Sequence, residues 1–158
     1  MADATLNIYV SYGQICVFES DLDNPFNDWS DVHIRQGFSW RPGSASFLTL
    51  EETGQHLVVL RVCKEDRALS ADAVRIIEVP FEVPTNGNVE VASITDGQQI
   101  SIPAGSYTLR AEFLTPGGEK ASTVELTFIS ESMPSFSVTR ADAELDPPEN
   151  LLLEANPA

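Results

Sequence analysis

Catalysis needs a nucleophile, an acid or base, or a metal held in a positioned group, and this sequence carries few side chains of those kinds. His33 and His56 stand without a second His or Cys at metal-ligand spacing, so neither reads as a zinc ligand. His33 falls in a short helical pattern and is expected at the surface. His56 is expected in a loop or at a strand edge. Cys16 and Cys63 each sit in an apolar strand-like run with no CxxC spacing, which reads as two buried thiols serving as small hydrophobes. There is no nucleophile elbow, P-loop or GxGxxG element. No catalytic residue, no cofactor and no metal are therefore expected. A small hydrolase would require two carboxylates converging in a cleft.

Asp21, Asp23, Asn24 and Asp28 gather oxygen ligands in one loop, which raises the question of calcium. An EF-hand loop beginning at Asp21 needs Gly at its sixth position and Glu at its twelfth, where Phe26 and Val32 stand. That motif is absent. A looser calcium-dependent β-sandwich binding module, taking lipid or glycan through the same loop, is the alternative reading.

The most informative stretch is 19–43, which holds both tryptophans and alternates acids with aromatics. Aromatics supply hot-spot area and carboxylates complement a basic patch. Asp21, Asp23, Phe26, Asp28, Trp29, Asp31, Trp40 and Arg41 are the candidate partner-binding residues, with Arg41 available to a carboxylate of the partner. In the competing reading Trp29, Phe38 and Trp40 plug one end of the core while the acids face solvent.

The elements that must carry this stretch are strands. Leu6, Ile8 and Val10 alternate with polar residues, as do Tyr107, Leu109, Ala111 and Phe113, and Val124, Leu126 and Phe128. This is the period-2 mark of half-buried strands. Further strands are expected at 14–18, 46–50, 57–63, 75–83, 89–95, 99–102 and 135–139, with Leu57, Val58, Val59 and Leu60 central and covered on both faces. Turn formers recur between them: Pro84, Asn86 and Gly87; Asp96 and Gly97; Pro103 and Gly105; Pro116, Gly117 and Gly118. The pattern predicts an all-β fold, an antiparallel β-sandwich with one short helix over 28–37, capped by Asp28 or Ser30 and closed by Gly37.

At 158 residues the chain suits one domain that needs no disulfide or metal to hold it. Nine Lys and Arg against 24 Asp and Glu give a net charge of -15. Such a field repels nucleic acid and anionic membranes and attracts basic partners. After Arg140 acids and prolines appear without another basic residue, so a sandwich domain over 1–140 and a solvated acidic tail over 141–158 are expected, with Leu151, Leu152 and Leu153 able to dock as one helical turn. Residues 1–12 lack the basic and apolar regions of a signal peptide, and no apolar run nears the ~20 residues of a spanning helix. The expected location is cytoplasmic.

Three blocks carry a resemblance: Asp28, Trp29, Ser30 and Asp31 with Ile34 and Gly37; Val79, Pro80, Phe81, Glu82 and Val83 with Asn86 and Gly87; and Ile102, Pro103, Ala104, Gly105, Ser106 and Tyr107. In this order they resemble the competence protein J (ComJ) family over residues 6–116, more weakly to 138, and not in the acidic tail. The resemblance implies a non-enzymatic protein that binds and silences a bacterial DNase, either a competence DNA-entry nuclease or a nuclease toxin for which it is the immunity protein. It carries over no set of inhibitory residues. Calorimetric titration with calcium separates the two readings: an inhibitor is expected to give no binding heat, and a saturable exchange at the 21–28 loop would favour the calcium module.

Overall fold

The alternating runs become the strands of two facing sheets. The computed structural model describes residues 3–115 and 122–158, so the turn formers Pro116, Gly117 and Gly118 lie outside the described residues. The strands are β1 (Ala4–Val10), β2 (Gln14–Glu19), β3 (Phe38–Arg41), β4 (Ser44–Leu48), β5 (Gly54–Cys63), β6 (Ala73–Val83), β7 (Asn88–Ala92), β8 (Gly97–Ser101), β9 (Gly105–Leu114), β10 (Ser122–Ser130) and β11 (Ser137–Arg140). One sheet runs β1-β5-β10-β9-β6-β11 and the other β3-β4-β2-β7-β8. Ile8, Val58, Leu126, Leu109, Val79 and Phe81 of the first meet Ile15, Val17, Phe38, Phe47, Val89 and Val91 of the second in one core. Burying such a side chain fully stabilises by about 1.5–3 kcal/mol.

The fold is the expected sandwich, with physical departures in detail. β10 pairs with β5 in parallel, and every other named pairing is antiparallel. Val58 and Leu60 are buried but Leu57 and Val59 are only half-buried, so the central run is covered on one face rather than two. β3 was not foreseen, because Phe-Ser-Trp-Arg is too short to show an alternation. His56 lies buried inside β5, with its Nδ1 at 2.9 Å from the Gly54 carbonyl, and not at an edge.

The single helix of the described residues, α1 (Asp31–Gln36), is only six residues long and depends on its caps. Ser30 accepts the His33 N–H, the His33 ring accepts the Ser30 N–H, and Gly37 ends the helix at φ 85. Only glycine suits that turn, since a Cβ there would also stand 3.0 Å from Ile77 and Leu145 methyls.

The segment 141–158 is exposed along much of its length, Leu153 included, and is not helical at its leucines. It is an extended strap laid along α1 and the segment before it. Leu145 is buried against the core, and Asp146 N–H donates to the Arg35 carbonyl. The Gln36 side-chain amide both donates to the Leu152 carbonyl and accepts its N–H, each at 2.9 Å. The strap's root is Asp142, which takes Arg75 in a two-pronged ion pair at 2.8 and 3.0 Å, while Arg75 also donates to the Leu48 carbonyl. Arg75 has 0% exposure, so its charge depends on these partners. Asp142→Ala is expected to cost about 3–5 kcal/mol, as for a buried pair broken on one side. Urea unfolding reads the loss, and hydrogen exchange should show the Leu152 and Ala158 amides released.

Candidate functional site

From Glu19 the chain does not pass directly to the next strand. Residues 20–30 turn back across the outer face of the β2–β4 sheet, and Asn24, at φ 48, makes the turn. Asn27 fixes the layer. Buried to 2% exposure, it donates to the Ser39 and Ser44 carbonyls and accepts from Arg41 Nε at 2.7 Å. Ser39 and Ser44 hydroxyls donate in return to the Asp28 and Pro25 carbonyls. Such side-chain bonds satisfy backbone groups that no strand partner reaches.

The aromatics of the stretch are committed to this packing. Phe26 sits edge-on to Phe18, with ring centres 5.8 Å apart, and together with Leu22 covers Cys16 and Ala92. Burial pushes the Cys16 thiol up to about 12, against a lowering by the Ser46 hydroxyl that donates to it, so this thiol is un-ionised and inert at neutral pH. Trp29 donates from Nε1 to Gln14 at 3.2 Å and lies edge-on to His33. Trp40 points into the sandwich, where Nε1 donates to the Pro80 carbonyl at 2.8 Å and the ring meets Phe136 edge-on. Arg41, besides Asn27, donates to the Asn24 carbonyl.

The acids divide differently. Asp21, Asp23 and Asp31 are exposed, and Asp21 accepts a 3.1 Å hydrogen bond from the Asn86 side chain. Asp28 is half-buried and accepts the Asn156 N–H. The structure therefore places Asp21 beside the turn after β6, with Asp23 exposed two residues further along the same loop. Asp31 lies at the start of α1, Trp40 is half-buried against the core, and Arg41 is half-buried on Asn27 and Asn24.

The strap completes this surface, and sequence reasoning missed its part. His33, expected at the surface, is buried because its Nε2 lies 2.9 Å from the Glu154 carbonyl. That bond makes Nε2 the protonated nitrogen, as Nδ1 accepts from Ser30. Asp28 N–H donates to the Asn156 carbonyl, Pro157 bridges Asn27, and Ala158 N–H donates to the Phe26 carbonyl. The Glu154 carbonyl on His33 brings exposed Glu154 beside α1, at whose start the exposed Asp31 stands. The three leucines at 151–153 were the available signal, and Gln36 and Asn27 gave none. Among the described residues no three His, Cys, Asp or Glu side chains gather in a metal-holding group, and no helix is long and apolar enough to cross a membrane.

The sequence profile described as Competence protein J (ComJ) matches residues 7–129. The chain belongs to the ComJ family. A curated ComJ relative, the "DNA-entry nuclease inhibitor" of Bacillus subtilis (strain 168), is 30% identical over 101 residues, which take in 63% of this chain and 74% of the relative. The crystal structure of ComJ from Bacillus subtilis, described as an inhibitor of the DNA degrading activity of NucA, is similar in fold with a TM-score of 0.70 at 24% identity, covering 81% of this chain and 96% of that one. The ComJ match stops before the strap, so the contacts of Asp142, Leu152 and Ala158 lie outside it.

Trp40→Ala is expected to lower stability by about 3 kcal/mol, within the range for a large aromatic removed from a core. Thermal unfolding measures it. An unchanged melting temperature would return Trp40 to the surface.

Proposed function

We propose that this chain is a cytoplasmic inhibitor that binds a bacterial DNase and silences it, and that it performs no chemistry of its own. Membership of the ComJ family, with a 30% identical relative named a DNA-entry nuclease inhibitor, carries the reading. The target is a basic nuclease, either a competence nuclease or a nuclease toxin, and neither nucleic acid nor membrane is bound. Charge supports the choice. A DNase has to attract phosphate, so its cleft is positive, and the field of a chain at -15 draws the same cleft. Steering of this kind raises association to roughly 10⁸–10⁹ M⁻¹s⁻¹ at low salt.

Asp21, Asp23 and Asp31 are the residues that meet the basic cleft, being exposed on a layer that the fold holds still. Phe26, Asp28, Trp29, Trp40 and Arg41 serve the same surface from beneath by fixing its backbone. A preorganised surface spends less of its interaction energy on ordering.

The test mixes the purified chain with NucA-type nuclease from the same organism and follows cleavage of supercoiled plasmid, where the parent chain is expected to stop cleavage at equimolar amounts. Neutralising Asp21 and Asp23 together to Asn should slow association by about tenfold at low salt while leaving dissociation and unfolding unchanged. Added salt should shrink the difference between variant and parent. Equal association rates at low salt would place the contact elsewhere on the molecule.

A further inference from the structure

The four edges of the sandwich are treated unequally. On one side β3 is closed by side chains, with Gln36 on the Phe38 carbonyl and Asn27 on the Ser39 carbonyl, and β11 is a short strand with a shifted register. On the other side β1 and β8 face each other. The later half of β1 is stitched to the β7–β8 hairpin: Asp96 accepts the Tyr9 N–H, Ser93 the Ser11 N–H, and Gln98 donates to the Asn7 carbonyl.

Below those stitches the two sheets part. A cleft of about 1130 Å³ opens there, walled by Leu60 and Val62 of one sheet and by Ile100 and Ile102 of the other, with Asn86 and Ala104 at its mouth.

β8 is the unguarded edge beside this cleft. It bonds β7 alone, and its sequence, Gly-Gln-Gln-Ile-Ser, has no charge, proline or bulge, the devices that usually protect an edge strand. Four of its five residues are exposed. Ser93 N–H bonds the Asp96 carbonyl and Ile102 N–H the Gly87 carbonyl. By antiparallel alternation Gln98 and Ile100 therefore bond β7, and Gly97, Gln99 and Ser101 turn their N–H and C=O groups outward.

We propose that β8 is the docking edge for an extended segment of the nuclease, which adds as a strand beside Gly97–Ser101 and seats alternate apolar side chains in the cleft. An open edge supplies main-chain hydrogen bonds and a neighbouring pocket supplies side-chain selection, which together form a strand-addition site. The occupant follows from charge and continuity. A second copy at -15 is repelled, whereas Asn86, at the mouth of the cleft, is hydrogen-bonded to Asp21 of the acidic loop. The cleft itself is lined mainly by apolar side chains, with Lys64 as its one charged residue, and the acidic loop adjoins it through Asn86 and Asp21. This arrangement suits an apolar strand carried by a protein that the net charge of -15 attracts. The inference rests on the inhibitor reading above.

The test is hydrogen exchange of the protein alone and in complex with the same NucA-type nuclease, beside inhibition by two variants. Gln99→Pro removes an outward N–H at an edge position where proline is tolerated, and Ala104→Trp fills the mouth from an exposed site. The amides of Gly97, Gln99 and Ser101 are expected to slow on complex formation, and both variants to inhibit about tenfold less well or worse, with unfolding temperatures unchanged. If Gln99→Pro fails to fold, the exchange pattern and Ala104→Trp decide. Normal inhibition with β8 amides unprotected overturns the docking edge while leaving the inhibitor reading intact, whereas failure of the parent to inhibit overturns that reading itself. Protection already present in the free protein and rising with concentration would make the occupant a second copy, which also overturns the proposal.

Discussion

A guanidinium inside a β-sandwich has to be matched in charge and hydrogen bonding, and at Arg75 the match joins three parts of the molecule. The side chain leaves β6 of one sheet, reaches the Leu48 carbonyl at the end of β4 in the other, lies 5.8 Å from the centre of the Phe113 ring, and ends on Asp142 at the root of the strap. The cost of dehydrating an arginine is repaid only by such a complete set of partners. The ion pair therefore works as a condition on geometry: both sheets and the strap must be in place together for the charge to be tolerated. From that root the strap runs on to Gln36, His33 and Asn27, so the loop that displays the acids is fixed at its far end by the same pair.

Side-chain amides then take over where backbone pairing stops. Gln36 offers Leu152 a donor and an acceptor as a neighbouring strand would, and Asn27 does the same service for the carbonyls of β3 and β4. Neither residue is exposed. A surface built this way is acidic outside and closely hydrogen-bonded inside, which keeps carboxylates at set positions without asking them to neutralise one another.

Most of the architecture was legible in the sequence because the core is written in a period of two. Tyr107, Leu109, Ala111 and Phe113 can face only one way, and the caps Ser30 and Gly37 mark the helix by residue type alone. β3 was not legible because Phe38–Arg41 holds too few residues to show a period. The strap was not legible because its burial comes from pairs far apart in sequence, such as Arg75 with Asp142 and Gln36 with Leu152, which no local pattern encodes. The 19–43 stretch stands out in the sequence as the place where acids and aromatics meet. Composition could not say that Trp40 turns inward to the Pro80 carbonyl while Asp21 and Asp23 stay outside, since that division depends on the face of β3 that Trp40 occupies and on how the 20–30 segment folds back over the sheet.

The parallel pairing of β5 with β10 carries a kinetic consequence. β10 lies between β5 and β9, and its partner β5 left the ribosome some 60 residues earlier. Until β10 is made, β5 and β9 each lack the neighbour on their inner edge, so the pairs β1–β5 and β6–β9 cannot join into one sheet. Closing so long a loop is slow, and open edges with apolar faces pair readily with neighbouring chains. The sheet is therefore completed late in the chain, when Val124, Leu126 and Phe128 of β10 enter the gap between β5 and β9.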